Sequence, residues 1–146
     1  MKLIEYTQKI VGLRYCAGGM NPGMGLGCFT IVYNWLKIHM PELPDNYHGY
    51  TLTNRRERYD ADPDAANQMM LQFFDEYLER IEPAYAFAGD ILWTGIVSDG
   101  KECFASGIHA GNGHLLGATP LRGVILLPLR AYKIHQAWRI PREVKI

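Results

Sequence analysis

Residues 18–40 read GGMNPGMGLGCFTIVYNWLKIHM, and this stretch decides the fold. Its first ten residues include five glycines. Glycine loses too much backbone entropy in a helix or a central strand, so a loop is predicted here. The residues that follow predict a helix from about Cys28 to Met40, which Pro41 ends. The apolar face of this helix consists of Ile31, Val32, Trp35, Leu36 and Ile38. The sequence therefore places a cysteine in the first turn of a buried helix.

Two further helices are predicted on either side of this stretch. Apolar residues near helical spacing predict a short helix over residues 2–11. Residues 41–61 are polar and contain prolines, which predicts irregular structure. Asp62 as a cap and Pro63 in the first turn then predict a helix that ends before Pro83. Its apolar positions are Met69, Met70, Phe73, Phe74, Tyr77, Leu78 and Ile81.

The remainder of the chain predicts an antiparallel sheet. Strands are predicted over residues 90–97, 103–110, 114–118, 124–127 and 136–140. The segments Ser98-Asp99-Gly100-Lys101 and Gly111-Asn112-Gly113 predict tight hairpin turns. Because helices come first and a sheet follows, the predicted fold class is α+β, with N-terminal helices packed on an antiparallel meander. We expect one domain over residues 1–146, since nothing in the sequence indicates a linker.

Charge and composition exclude several classes of protein. The chain has 146 residues, 48% of them apolar, and its 15 Lys and Arg balance its 15 Asp and Glu. A net charge of zero argues against nucleic acid or an anionic membrane as the partner, because both require excess basic residues. No apolar run reaches the roughly 18 residues of a membrane span. The N-terminus lacks the apolar region of a signal peptide, so we expect a soluble protein made in the cytoplasm. Cys16, Cys28 and Cys103 are expected to be free thiols.

Cys28 is the candidate nucleophile. A cysteine in the first turn of a helix feels the positive end of the helix dipole and nearby free N–H groups. Both favour the thiolate, so the position predicts a lowered pKa for the Cys28 thiol. The alternative is that Cys28 is a small buried apolar residue, since free cysteine is among the most buried residue types.

A nucleophilic cysteine also needs a base, usually a histidine from elsewhere in the fold. His109 and His114 flank the Gly111-Asn112-Gly113 turn and are the candidates, although a polar residue beside a hairpin turn is commonly just exposed. His39, His48 and His135 are interpreted as a helix-terminal charge and two surface residues. The spacings of histidine, cysteine and acidic residues give no ligand pair, so no metal and no cofactor are expected.

Four segments carry a resemblance to a known family: RYCAGG at residues 14–19, GLGCFTIVY at 25–33, AGDIL at 88–92 and SGIHAGNG at 106–113. They resemble the active-site region, strand start and hairpin of the NlpC-type cell-wall cysteine peptidases, which have a papain-like fold. Residues 122–139, RGVILLPLRAYKIHQAWR, resemble the variety found in phage tails. In that variety the domain is a tail-tip or tail-assembly component that attacks peptidoglycan.

The resemblance implies roles for individual residues. Cys28 stands at the position of the family nucleophile, and Tyr15 matches the tyrosine beside it. Aligned on the Gly-Asn-Gly turn, Ala105 stands where the family has its catalytic histidine, and Gly117 falls near the polar residue that orients it. His109 is four residues further along the same strand, roughly 13 Å at about 3.3 Å per residue, whereas a base must come within about 3 Å of its proton. His109, and after it His114, are therefore weak substitutes for the missing base.

Two functions from different classes remain open at this point. The first is an NlpC-type domain of a phage or phage-like tail, catalytically impaired, that serves as a structural or binding module and enters the virion. The second is an active cysteine peptidase or amidase that hydrolyses peptidoglycan peptide bonds with Cys28 as nucleophile. Expected partners are peptidoglycan peptide and other tail or assembly proteins. The latter would bind residues 41–61, where Arg55, Arg56 and Arg58 accompany several tyrosines.

Overall fold

The protein consists of a six-stranded antiparallel sheet and a layer of helices. The structure is a computed structural model that describes residues 1–15, 20–21 and 25–141, without the side chains of residues 20, 21, 25, 26 and 98. The helices are α1 Leu3–Ile10, α2 Cys28–His39, α3 Arg55–Ala61 and α4 Pro63–Tyr77. The strands are β1 Met20–Asn21, β2 Gly25–Leu26, β3 Glu79–Ile81, β4 Ile91–Ser98, β5 Lys101–Gly111, β6 His114–Thr119, β7 Gly123–Pro128 and β8 Lys133–Arg139. Strands β1 and β2 pair with each other, apart from the large sheet. The predicted α+β class, with helices packed on an antiparallel meander, is confirmed.

The order of strands in the large sheet is β3-β8-β4-β5-β6-β7. The meander β4 to β7 follows the chain, and β8 then returns to pair with β4 on its other side. Both predicted hairpin turns are present. Asp99 and Gly100 have positive φ in the first, and Asn112 and Gly113 in the second. Two consecutive residues with positive φ match the right-handed twist of the flanking strands, which is why Asp-Gly and Asn-Gly are used here.

Helix α2 packs on the middle of the sheet and organises the core. Ile31, Val32 and Leu36 are fully buried. They share one core cluster with residues of the strands that α2 covers, including Ile108 of β5 and Leu116 of β6. Gly27, in extended conformation, is the residue before the first turn, so α2 begins at Cys28 as predicted. This packing fixes the position of Cys28 over the sheet.

The sheet has a second, smaller cluster on its other face. It contains Leu92, Leu115, Leu127 and Ala137, with residues of two 3-10 turns and neighbouring strand positions packed against it. Because alternate residues of a strand point to opposite faces, β4 contributes Ile91 and Trp93 to the first cluster and Leu92 to the second. The parity of a residue in β5 or β6 therefore decides whether it can reach the helices.

Helix α4 begins as predicted but ends earlier. The side chain of Asp62 accepts a hydrogen bond from the backbone N–H of Ala65, and Pro63 is the first helical residue. The prediction that the helix extends to Ile81 is wrong, because Glu79–Ile81 forms an edge strand paired with β8. This pairing partner lies more than 50 residues away in sequence, and local periodicity contains no information about it. No helix in the described part of the chain has the length and apolar character of a membrane span.

The prediction of irregular structure throughout residues 41–61 is also wrong. Residues 55–61 form α3, which packs on α4. Arg56 and Asp60, four residues apart on its exposed side, form an ion pair of 3.1 Å. Such a pair supports a short polar helix by only a few tenths of a kcal/mol, roughly 0.3–0.5, so packing on α4 is the larger contribution.

The segment after α1 closes the free edge of β7. Gly12 donates a backbone hydrogen bond to Val124, and Val124 donates one to Leu13, at 2.9 and 2.8 Å. At Gly123, which has a φ of 73°, an added Cβ would collide with the backbone carbonyl of Leu13. Only glycine allows this approach of the two backbones.

Two leucines that differ in burial test how much the core contributes to stability. Leu116 is fully buried and Leu121 is 97% exposed. We expect Leu116→Ala to lower the free energy of unfolding by about 2–5 kcal/mol, because a cavity remains under α2. The matched Leu121→Ala should stay within about 0.5 kcal/mol of the parent protein. Urea unfolding followed by circular dichroism measures both, and equal losses would contradict the core assignment.

Candidate functional site

The Cys28 thiol lies at the N-terminal end of α2, over the sheet. Cys28 is half-buried, and its Sγ is 3.4 Å from the backbone carbonyl oxygen of Ala118 on β6, to which the thiol donates a hydrogen bond. This hydrogen bond holds the Cys28 side chain against β6.

A cleft opens beside the thiol, which we call the Cys28 pocket. It lies between the start of α2, helix α3 and the strands β4 and β5. Its lining residues are Tyr15, Gly27, Cys28, Arg55, Arg56, Tyr59, Asn67, Met70, Trp93, Phe104, Ala105 and Ser106. Tyr15 and Cys28, which the sequence resemblance placed beside each other, thus line the same pocket. This lining, taken over the described residues, includes no histidine.

Ala105 and Ser106 both line the Cys28 pocket, but the alternation of β5 gives them different directions. Ser106 is paired with Trp93, which belongs to the core cluster under the helices. Ala105 is paired with Thr94, whose hydroxyl donates a hydrogen bond to the Ala105 carbonyl. The side chain that β5 presents to α2 at this level is therefore that of Ser106.

Ser106 is a polar residue in an unusual setting. It is 3% exposed, and its Oγ has no hydrogen-bond partner among the described residues. A buried hydroxyl without a partner costs free energy, about 1–3 kcal/mol. Ser106 was not predicted as a site residue, and the alternation of side chains along β5 is the signal that could have identified it.

Gly117 lies outside the Cys28 pocket. It pairs with Ile125 of β7, and an added Cβ would be 3.4 Å from Leu127 in the cluster on the far face of the sheet. Its neighbour Ala118 is the β6 residue in contact with Cys28. The structure therefore does not bring Gly117 together with Cys28.

His109 and His114, the two proposed substitute bases, are also outside the Cys28 pocket. The backbone of His109 is bonded to Gly89 and Asp90, and its Nδ1 accepts a hydrogen bond from the Gly111 N–H at 3.1 Å. Burial lowers the pKa of His109, with a smaller opposing effect from Asp90. His114 is exposed at the start of β6, paired with Gly111. The structure places both histidines at the hairpin turn and not at the thiol.

The expectation that the helix dipole lowers the pKa of Cys28 is wrong. Burial raises the pKa of the Cys28 thiol, and this effect exceeds the lowering by the Ala118 contact and by the positive charge of Arg55. Transfer of a thiolate out of water is costly, so desolvation outweighs a half charge at a helix end. The thiol is therefore mainly protonated at neutral pH.

Arg55 is the charged side chain that acts on the pKa of the Cys28 thiol. It is the first residue of α3, and its guanidinium lies over the Phe29 ring at 4.9 Å from the ring centroid. Burial lowers the pKa of Arg55, while Cys28, Tyr15 and Tyr59 act in the opposite direction. Arg55 was predicted to belong to an exposed docking segment, whereas in the structure it lines the Cys28 pocket.

An aromatic pocket lies on the other side of Arg55, between α2, α4 and residues 44–59. Its lining residues are Phe29, Tyr33, Pro44, Asp45, Tyr47, Tyr50, Thr51, Leu52, Arg55, Tyr59, Ala66, Met69, Met70 and Phe73. Several of these rings pack at steep angles, such as Tyr47 on Phe73 with centroids 5.2 Å apart. The aromatic pocket and the Cys28 pocket share Arg55, Tyr59 and Met70.

Other sequence candidates can be placed briefly. Cys103 is exposed on β5, and Cys16 lies outside the described residues. His135 is on β8, 2.6 Å from a carboxylate oxygen of Glu102. No group of three histidine, cysteine or acidic side chains within the described ranges is arranged to hold a metal ion.

Comparison with solved structures shows which known fold this chain has. The chain is similar to the crystal structure of the NlpC/p60 domain of peptidoglycan hydrolase SagA, with a TM-score of 0.59 and 19% sequence identity. The similarity covers 94% of this chain and 96% of that one. No protein-family model and no curated protein matches the sequence. The fold is thus that of an NlpC/p60 domain, and at this identity the likeness concerns the fold alone.

The pH dependence of thiol alkylation tests the electrostatics of the pocket. Because burial raises the pKa of Cys28, we expect iodoacetamide to modify it more slowly than Cys103 near pH 8, with its rate rising only at higher pH. Arg55→Gln should move the profile to still higher pH, since it removes a charge that stabilises the thiolate. His109→Ala is the control and should leave the profile unchanged. Peptide-resolved mass spectrometry measures these rates, and a profile shifted to low pH would contradict this account.

Proposed function

We propose that this chain is an NlpC-type domain of a phage or phage-like tail that is catalytically impaired and binds peptidoglycan peptide without hydrolysing it. The observation that carries the proposal is the composition of the Cys28 pocket. The thiol, whose pKa is raised by burial, shares this pocket with Ser106 and Ala105 and with no histidine among the described residues, whereas a cysteine peptidase needs a histidine there. Loss of general-base assistance alone costs about 10²–10⁴ in rate.

The binding role is supported by what the pocket keeps. It retains an open cleft with a cation, a carboxamide and two tyrosine rings, namely Arg55, Asn67, Tyr15 and Tyr59. Polar groups converging on a cleft with aromatic walls are typical of a ligand site. The peptidoglycan hydrolase with the same fold suggests the peptide as ligand.

The tail role rests on the sequence resemblance of residues 122–139. Docking to other tail or assembly proteins is assigned to the outer side of residues 41–61, where Arg56 and Arg58 are exposed. Arg58 stacks on Tyr50 at 4.9 Å and leaves part of its guanidinium in solvent. Mass spectrometry of purified particles from the host that encodes the chain tests this role, and its absence from all of them would contradict it.

Incubation with purified peptidoglycan separates binding from hydrolysis. We expect the protein to sediment with insoluble peptidoglycan and to release no more soluble peptide than Cys28→Ala, measured by liquid chromatography and mass spectrometry. Cys28→Ala should bind as well as the parent, because the thiol is a packed group in this proposal. Release of fragments that depends on Cys28 would instead establish the active cysteine peptidase.

Two histidine substitutions test which strand position faces the thiol. In Ser106→His the imidazole points toward Cys28, and as a cation it should lower the pKa of the thiol. The matched Ala105→His places the same group on the other face of β5 and should leave the pKa unchanged. The alkylation profile measures both, after thermal unfolding has shown that each variant folds. A shift in Ala105→His would overturn the assignment even if Ser106→His fails to fold.

A further inference from the structure

Arg55 lies between the Cys28 pocket and the aromatic pocket and, among the described residues, is the one cation that lines both. Its contacts differ from those of the three arginines that form ion pairs with aspartates. Arg56, Arg80 and Arg139 each form an ion pair with an aspartate, namely Asp60, Asp75 and Asp90, at nitrogen–oxygen distances of 3.1, 3.0 and 2.8 Å. Within the described part of the chain, no carboxylate forms an ion pair with Arg55.

An unpaired guanidinium in this position is costly for the free protein. Arg55 is half-buried, with one planar face against the Phe29 ring, and burial lowers its pKa. The ring contact leaves the N–H donors at the edge of the guanidinium for another acceptor. A charge withdrawn from water gains most from an anion that can accept two parallel hydrogen bonds, as a carboxylate does.

The surroundings of Arg55 indicate how much negative charge fits. Arg56, the other arginine of the Cys28 pocket, is already neutralised by Asp60. One uncompensated positive charge matches the single negative charge of a carboxylate better than the nearly double charge of a phosphate ester. The buried Ser106 hydroxyl, which has no hydrogen-bond partner among the described residues, lines the same cleft and offers a further hydrogen bond.

The aromatic pocket on the other side of Arg55 indicates what accompanies the carboxylate. Phe29, Tyr47, Met69 and Phe73 give it apolar walls. An apolar side chain attached close to a carboxylate reaches this pocket while the carboxylate meets the guanidinium. Burial of such a side chain contributes about 25 cal/mol for each Å² of apolar surface removed from water.

We propose that Arg55 is the anchor of a carboxylate subsite that binds an acidic peptide group carrying an adjacent apolar side chain, with the apolar side chain in the aromatic pocket. The proposal deepens the peptide-binding role and rests on it, but it holds whether or not the bound peptide is hydrolysed. The carboxylate comes either from the C-terminus of a peptide or from an acidic side chain.

Blocked dipeptides test the subsite on the full-length protein by isothermal titration calorimetry. N-acetyl-Ala-Leu with a free C-terminus and N-acetyl-Glu-Leu-amide present the carboxylate from the two sources. N-acetyl-Ala-Leu-amide and N-acetyl-Gln-Leu-amide are the matched neutral probes. We expect one acidic probe to bind at least about ten-fold more tightly than its neutral partner, the lower range for a hydrogen bond to a charged group. The probe that shows the preference identifies the source.

Variants connect the preference to Arg55. Arg55→Gln should abolish the difference between acidic and neutral probes, and Arg55→Lys should retain only part of it because an ammonium cannot form the bidentate pair. Arg122→Gln removes the same charge from an exposed turn and should change nothing. Equal affinity for acidic and neutral probes, or a preference that survives Arg55→Gln, overturns the carboxylate subsite. Peptidoglycan cleavage that depends on Cys28 overturns the impaired state instead, so the two failures are distinct.

Discussion

The packing of α2 on β5 and β6 is the constraint on which the rest of the structure depends. Ile31, Val32 and Leu36 are buried against the centre of the sheet, and this packing fixes the position of the first residue of the helix. Cys28 meets the carbonyl of Ala118 because the helix cannot slide without exposing this face. The same packing defines which strand residues lie within reach of the thiol. The chemistry of the site is therefore set by the parity of β5 and by the side chains that α3 adds from above.

Two opposing effects meet at the thiol, and their balance is a property of the whole pocket. The helix terminus and the Arg55 charge favour a thiolate, while removal of the sulfur from water favours the thiol and is the larger effect. A peptidase would add a histidine close to the sulfur to reverse this balance. Among the described residues that line the Cys28 pocket, β5 contributes Phe104, Ala105 and Ser106 and no histidine. The fold is thus compatible with a site whose electrostatics favour the protonated thiol.

Local chemistry in the sequence predicted the elements that depend on near neighbours. The Asp-Gly and Asn-Gly turns, the Asp62 cap and the start of α2 each follow from residues within a few positions of one another. The edge strand Glu79–Ile81 and the inward position of Arg55 depend on partners far away in sequence, and periodicity contains no information about them. Alignment on a turn likewise selected Ala105 on β5 but could not fix which of Ala105 and Ser106 points toward the helices. A shift of one residue moves a side chain to the other face of a sheet.

The backbone contact between residues 12–13 and β7 has a consequence for the behaviour of the protein at high concentration. Unpaired strand edges offer N–H and carbonyl groups to other copies of a chain, which is a route to aggregation. Here the Gly12 and Leu13 backbone occupies part of one outer edge of the sheet, and the opposite edge is a strand of three residues. Gly123 makes the first of these protections possible, because a side chain there would push the two backbones apart. One glycine at a turn thereby helps to keep a six-stranded sheet from growing into a larger one.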